Sequence, residues 1–241
     1  MFLQKGEAGE APPAGAGDTL RVNEFFYSLQ GESRFAGRPC AFIRLAGCNL
    51  RCVWCDTRYT WTEQGTAYTV AEILEKVAGY GVPLVEVTGG EPLLHAATPA
   101  LLTALCDQGY TVLLETNGSL DIGGVDPRVV ILYDIKPPGS GEVERNRWAN
   151  LSLLKPYRDE IKLVLLDRAD YEWARNVVRE HRLTERHRVV FSPATPGDWP
   201  HHREAWTLPR ELAAWILEDR LPVVLQLQLH RLLWPEIDRG V

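Results

Sequence analysis

The sequence predicts an α/β fold, a partial, TIM-like barrel built on a mostly parallel sheet. Three observations lead there. Short apolar strand-like runs recur along the chain, helical start and stop signals separate several of them, and only some connections are long enough for a helix. The 241 residues suit a single domain of this kind, and 45% hydrophobic with 24% charged residues are ordinary globular values.

Residues 6–17 are all Gly, Ala, Pro or Glu. Such a segment cannot bury enough apolar surface to offset its ordering entropy. Residues 1–20 therefore read as a flexible N-terminal extension, and 21–241 as one domain. The strand-like runs are Ala41–Leu45, Leu84–Val87, Thr111–Leu114, Val129–Tyr133, Ile161–Leu165, Val189–Phe191 and Val223–Leu227. Thr69 and Glu72 form a capping-box pattern before Val70, Ile73, Leu74 and Val77, with Gly79 and Gly81 to end that helix. Thr98 and Pro99 open a second helix that stops near Gly109. Tyr171–His181 reads as a third, and Thr207 with Pro209 opens a fourth. There is no internal repeat. In parallel α/β folds the active site lies at the C-terminal ends of the strands, so the residues there are the first candidates.

A net charge of −6 argues against a long nucleic-acid groove built on bulk positive charge. No apolar run reaches the ~18–20 residues of a membrane span, and the N-terminus lacks the layout of a signal peptide. The expectation is a cytoplasmic protein with no membrane partner.

Five cysteines are present, and Cys48, Cys52 and Cys55 crowd into eight positions. A secreted disulfide framework is spread more evenly and pairs off, whereas clustered thiols in a reducing compartment bind metal or act in redox chemistry. Cys40 and Cys106 stand apart and read as buried small hydrophobes. The C-x3-C-x2-C loop follows the strand Ala41–Leu45. Three thiolates on one loop grip three corners of an iron–sulfur cubane and leave one iron open. Structural zinc is the alternative. It asks for four ligands in paired spacing, and no second pair exists; His201 and His202 are adjacent, which is not ligand-pair spacing.

This spacing, with Trp54 just before the third cysteine, resembles the radical S-adenosylmethionine (SAM) enzymes. The resemblance implies a partial barrel, a [4Fe–4S] cluster on Cys48, Cys52 and Cys55, and SAM on the open iron as the source of a 5′-deoxyadenosyl radical. Val85-Glu86-Val87-Thr88-Gly89-Gly90-Glu91-Pro92 is a strand running into a glycine turn. Glycines let backbone approach a ligand closely, and in the resembled family this turn binds the SAM amino group, which implicates Gly90 and Glu91. Later strand ends carry Glu115 and Asn117, Asp134 and Lys136, and Ser192. By position they resemble the family's SAM contacts, although helix capping is an alternative for Asn117 and Asp134.

The stretch Ser28-Leu29-Gln30-Gly31-Glu32-Ser33, then Phe42-Ile43-Arg44-Leu45-Ala46-Gly47-Cys48, then Trp54-Cys55-Asp56-Thr57, resembles the 7-carboxy-7-deazaguanine synthases of 7-deazapurine (queuosine) biosynthesis. The likeness runs from about Asn23 to the C-terminus. It implies conversion of 6-carboxy-5,6,7,8-tetrahydropterin to 7-carboxy-7-deazaguanine and ammonia, with hydrogen taken from C6 and SAM used catalytically. It also implies Mg2+ held by Thr57, a homodimer, and a flavodoxin- or ferredoxin-type reductant. The residues suit such a substrate. Arg44 offers a carboxylate a bidentate fork. Gln30 and the Leu29–Gly31 backbone can hydrogen-bond a planar heterocycle, and Glu32 can accept from its amino group. Thr88 sits beside the SAM turn, and His230 lies in a C-terminal stretch that also resembles the family's. Asp56 is a second oxygen candidate for the magnesium. Trp54, Phe26 and Tyr27 are candidates to shield a radical. The rival readings are another radical SAM enzyme, such as a glycyl-radical activating enzyme, and a non-catalytic zinc- or cluster-binding module. The acidic balance argues against direct nucleic-acid contact.

Overall fold

Period-two patterning organises the sheet of this computed structural model, which describes residues 19–194 and 207–241. Nine strands form one sheet in the order β3-β1-β2-β4-β5-β6-β7-β8-β9. They are β1 (Thr19–Leu29), β2 (Pro39–Leu45), β3 (Thr66–Thr69), β4 (Leu84–Gly89), β5 (Thr111–Thr116), β6 (Val130–Asp134), β7 (Glu160–Leu165), β8 (Arg188–Pro193) and β9 (Val224–Leu225). From β2 through β9 neighbouring strands are parallel, while β1 lies antiparallel to both β2 and β3 at one edge. The sheet is open, so the barrel is partial, as the connection lengths predict.

Alternate residues of each strand face opposite sides. On the convex side Ala41, Ile43 and Leu45 of β2, Val85 and Val87 of β4, and Val112 and Leu114 of β5 pack with Leu101, Leu102 and Leu105. Ile131, Ile161, Leu163, Leu165, Val189 and Phe191 continue that layer against Tyr171, Ala174 and Leu212. Each Leu or Ile buried in this way stabilises the fold by about 1.5–3 kcal/mol. The concave side differs along its length. Phe26, Cys40, Phe42, Leu84, Leu113, Val130 and Leu132 form an apolar plug toward the strand N-termini. The next inward positions are charged or polar, namely Arg44, Glu86, Thr88, Glu115, Asp134 and Lys162. Stability thus comes from the convex layer and the plug, leaving the strand C-termini free for chemistry.

The helices are α1 (Tyr59–Thr62), α2 (Val70–Ala78), α3 (Thr98–Asp107), α4 (Arg168–Glu180), α5 (Thr207–Glu218) and α6 (Leu229–Leu233). The capping box at Thr69 and Glu72 forms as expected. Thr98 is the first residue inside α3 rather than its cap, and its hydroxyl donates to Pro92 O at 2.6 Å. α4 begins three residues before Tyr171 because Asp167 caps it, accepting from Asp170 N at 2.9 Å. No α-helix follows β5 or β6.

Three expectations are corrected. The domain includes Thr19 and Leu20: both lie in β1, paired with Thr69 and Tyr68, and Leu20 is fully buried. The rest of the proposed extension, like His201 and His202, lies outside the described residues. The Asn23–Leu29 motif is itself strand, so β1 precedes the run taken as first. The last strand is only Val224–Leu225. The remote cysteines behave as expected, Cys40 being buried and Cys106 packed at the edge of the convex core.

Candidate active site

At the C-terminal end of β2 the chain turns at Gly47, φ 88°, into the cysteine loop. Leu50 anchors this loop, 1% exposed. The Arg51 guanidinium donates to Cys48 O and Leu50 O, both at 2.8 Å, and Val53 N donates to Ser140 O at 3.1 Å. Cys48, Cys52 and Cys55 are all free thiols on the wall of one large cavity. Asn117 Nδ2 lies 3.8 Å from Cys48 Sγ.

The glycine pair has a packing use beside the one expected. Gly89 has φ 149°, and a Cβ on Gly90 would sit 2.1 Å from Gly47 O. The close approach is between the β4 turn and the cysteine loop, sealed by Glu91 N donating to Gly47 O at 2.8 Å. Gly90 still reaches the cavity wall, but Glu91 does not. Its carboxylate turns back and accepts from Leu93 N at 2.9 Å, Asn117 N at 2.7 Å and Thr116 Oγ1 at 2.9 Å. Glu91 therefore braces the turns after β4 and β5. Burial pushes its pKa up to about 7, against these hydrogen bonds.

Glu115 and Thr88 lie on the wall and on each other. Glu115 Oε2 accepts from Thr88 Oγ1 at 2.9 Å and Oε1 from Lys162 Nζ at 2.5 Å. Burial works against ionising Glu115, yet the Lys162 ammonium and these bonds outweigh it and hold the pKa down to about 2. Asp134 Oδ2 pairs with Lys136 Nζ at 2.7 Å, leaving Asp134 Oδ1 buried and unpartnered. Ser192 Oγ is also buried without a partner, though Ser192 is not on the wall.

Gln30 Oε1 accepts from Glu32 N at 2.8 Å, and its amide nitrogen donates to Glu86. Glu32 Oε2 pairs with Lys162 Nζ at 2.6 Å, while Oε1 is buried and unpartnered. Leu29 and Gly31 complete this stretch of wall. Gly31 O accepts from Leu229 N at 3.2 Å, and a Cβ on Gly31 would meet His230 Nδ1 at 2.9 Å. The glycine thus lets α6 dock over the loop and brings His230 to the cavity. Burial lowers the His230 pKa, so the ring is neutral near pH 7.

Arg44 needs an irregularity to be held. Val22 pairs with Leu45 and Glu24 with Arg44, so Asn23 is an extra residue on β1. A bulge reverses strand parity beyond it, which turns Glu24 inward. Glu24 Oε1 accepts from Arg44 Nε and from Tyr59 OH, each at 2.6 Å. Thr57 Oγ1 is 3.7 Å from Cys55 Sγ on the same wall, as is Asp56, which lies 4.0 Å from His230 Nε2. Trp54 and Phe26 line the cavity. Tyr27 does not: it is 51% exposed and stacks on Tyr80 on the other side. The C-terminal segment 237–241 also borders the cavity, with the Arg239 guanidinium 3.8 Å from the Tyr59 ring centroid and paired with Glu63 at 2.5 Å.

The structure thus brings together Cys48, Cys52, Cys55, Thr57, Leu29, Gln30, Gly31, Glu32, Arg44, Thr88, Gly90, Glu115, Asn117, Asp134, Lys136 and His230. Glu91 and Ser192 stand behind the wall. Sequence reasoning missed Glu24, Glu86 and Lys162. Glu86 and Lys162 carried a usable signal, each being a charge inside an apolar strand, the argument that singled out Arg44.

The donor set fits the implied groups. Burial raises the Cys48 pKa and pushes Cys52 up to about 11, so thiolates there call for a cation. Among the described residues no three His, Cys, Asp or Glu side chains could hold a single metal ion. A cubane instead takes each thiolate on its own iron, which suits three cysteines spaced along one wall. The buried acceptors of Asp134 and Glu32 lack donors, and such atoms in a cavity call for a polar ligand.

The radical SAM superfamily pattern matches residues 42–131. The chain is 49% identical over 224 residues to the 7-carboxy-7-deazaguanine synthase of Chlorobaculum tepidum, covering 92% of this chain and 97% of that protein. It is 44% identical over 230 residues to the synthase of Koribacter versatilis, covering 92% of this chain and all of the relative. In fold it is similar to QueE from Escherichia coli, with a TM-score of 0.67 and 23% identity over 87% of this chain and 94% of that one.

Proposed function

This chain belongs to the 7-carboxy-7-deazaguanine synthase family of the radical SAM superfamily, and from that premise we propose how its cavity makes 7-carboxy-7-deazaguanine. The reaction converts 6-carboxy-5,6,7,8-tetrahydropterin to 7-carboxy-7-deazaguanine and ammonia. Product and ammonia together hold every atom of the substrate, so the chain must order a rearrangement rather than a net oxidation.

When bound, the cluster and SAM would supply a 5′-deoxyadenosyl radical. Cys48, Cys52 and Cys55 hold the cluster, and Gly90, Asn117, Asp134 and Lys136 face the SAM side of the cavity. Glu91 supports Asn117 from behind. Lys136 offsets the carboxylate of Asp134, whose free Oδ1 accepts from a bound polar group.

On the lining of the same cavity, Arg44 would meet the substrate carboxylate. Glu24 occupies its Nε, which leaves the two terminal nitrogens for a fork. Glu32 Oε1 accepts from the amino-bearing edge, and Leu29, Gln30, Gly31, Thr88 and the neutral His230 frame the ring. Thr57, on the same lining, would offer one oxygen to Mg2+. Trp54 and Phe26 exclude water from the reacting centre.

The observation that carries this reading is a single cavity whose lining holds three free thiols, the Arg44 guanidinium and an unpartnered carboxylate oxygen of Glu32. The working enzyme is, in this reading, a cytoplasmic homodimer reduced by a flavodoxin- or ferredoxin-type protein. Clustered free thiols favour a reducing compartment, and no helix among the described residues is long and apolar enough to cross a membrane.

The test is anaerobic reconstitution with iron and sulfide, followed by reductant, SAM, Mg2+ and the tetrahydropterin, with Cys52→Ala as control. Many product molecules per SAM, abolished in the control, are expected. 5′-Deoxyadenosine without deazaguanine would overturn the substrate but keep the radical chemistry. Bound zinc with neither product would favour a metal-binding module.

A further inference from the structure

Lys162 stands in the middle of β7, and no motif points to it. Its Nζ lies 2.6 Å from Glu32 Oε2 and 2.5 Å from Glu115 Oε1. The side chain is 13% exposed. Carboxyls surround it from four other places, with Glu32 on the loop after β1, Glu86 on β4, Glu115 on β5 and Asp134 on β6. Glu32 and Glu115 bond its ammonium directly. Burial, with Glu115 and Glu32 nearby, pushes the pKa of Glu86 well up, and its carboxyl bonds the Gln30 amide instead.

The bonding has directional consequences. Lys162 takes one oxygen of Glu32 and leaves Oε1 buried without a partner. It also fixes Glu115, whose second oxygen takes the hydroxyl proton of Thr88. Thr88 then offers only lone pairs to anything else. Both groups lie on the cavity wall. A ligand that meets this wall must therefore bring N–H donors.

We propose that Lys162 is a positioning residue, which holds Glu32 and Glu115 so that Glu32 and Thr88 accept hydrogen bonds from the amino-bearing, N–H-rich edge of the heterocycle. The proposal rests on the tetrahydropterin reading above. It assigns Lys162 to substrate recognition rather than to the radical chemistry. Removing the ammonium leaves two buried carboxylates without their cation. They then take up a proton or swing apart, and either change spoils the acceptor pair.

The test compares reconstituted wild type, Lys162→Met and Lys162→Arg in turnover of 6-carboxy-5,6,7,8-tetrahydropterin. KM for the pterin is expected to rise about tenfold or more in the Met variant, while kcat changes by no more than about threefold. Arginine keeps the charge and is expected to restore most of the KM. An unchanged KM in Lys162→Met, or an Arg variant no better than Met, would overturn the role. Should Lys162→Met fail to fold, Lys162→Gln combined with Glu115→Gln removes one cation and one anion together. A raised pterin KM there supports the proposal, and a wild-type KM refutes it. No turnover of the pterin by wild type would overturn the substrate reading and this proposal together. Normal wild-type turnover with an unaffected Met variant would sink the role of Lys162 alone.

Discussion

Replacing Glu91 by alanine tests whether the motif glutamate is a brace or a ligand. Its carboxylate accepts from Leu93 N at 2.9 Å, Asn117 N at 2.7 Å and Thr116 Oγ1 at 2.9 Å, and the side chain is fully buried. The threonine hydroxyl can rotate to another acceptor, but the two amides cannot. Each buried donor left unsatisfied costs about 1–3 kcal/mol, so the pair costs about 2–6 kcal/mol. At roughly 2–4 °C per kcal/mol for a chain of this size, a loss of about 4 kcal/mol lowers the apparent Tm by about 8–16 °C. The pH dependence separates this from a generic cavity. Burial pushes the Glu91 pKa up to about 7, whereas an unfolded glutamate titrates near ~4.3. A carboxyl whose folded pKa is raised contributes stability that is fully present below the unfolded value. That contribution is lost as pH rises through about 7. Wild type alone carries it, so the Tm gap to Glu91→Ala is widest near ~pH 5 and narrows by several degrees toward ~pH 8. Thermal unfolding of both reconstituted proteins, followed by near-UV circular dichroism across that range, reads the gap directly. A gap below about 2 °C throughout, or one that widens with pH, would refute the brace.

Three further outcomes follow from the same geometry. A Cβ at Gly90 would lie 2.1 Å from Gly47 O, so Gly90→Ala must displace the cysteine loop; SAM affinity, measured by equilibrium binding, is expected to fall at least about tenfold, roughly 1.4 kcal/mol. Trp54→Leu opens the wall beside Cys55, and uncoupled 5′-deoxyadenosine per product should rise; an unchanged ratio would remove the shielding role. Thr69→Ala deletes the capping box of α2 at a cost of about 1 kcal/mol, read as a small drop in urea midpoint with unchanged turnover.

What the sequence made legible was local. The cysteine spacing, the glycine turn and the capping box each sit within a few residues, and each forms where it is expected. Cavity positions on β2, β4, β5 and β6 were found because strand ends point to the site and because Arg44 interrupts an apolar run. The same interruption occurs at Glu86 in Leu84–Gly89 and at Lys162 in Glu160–Leu165, so both were within reach of that argument. Glu24 was not. Its inward direction depends on the extra residue at Asn23, and a bulge leaves no clear mark in a strand that mixes polar and aromatic residues.

Glu91 and Ser192 lie off the cavity lining for a different reason. Strand-end position narrows a residue to the neighbourhood of the site, but rotamer and turn geometry decide whether it faces the ligand or the turn beneath. Glu91 follows two glycines, and its carboxylate finds three donors from its own turn and the next, closer than any ligand could be. Tyr27 failed by parity. Beyond the bulge it falls on the opposite side from Glu24 and Phe26, against Tyr80. Residues 237–241, unlike His230, were not placed from sequence, because their position depends on Arg239 reaching Tyr59 and Glu63, contacts separated by well over a hundred residues. The chemistry-bearing loop is therefore written locally in the chain. The part of the wall that distinguishes one substrate from another is assembled from strands and termini whose alignment only the fold supplies. That division is why substrate recognition, rather than radical generation, is where variants such as Lys162→Met are most informative.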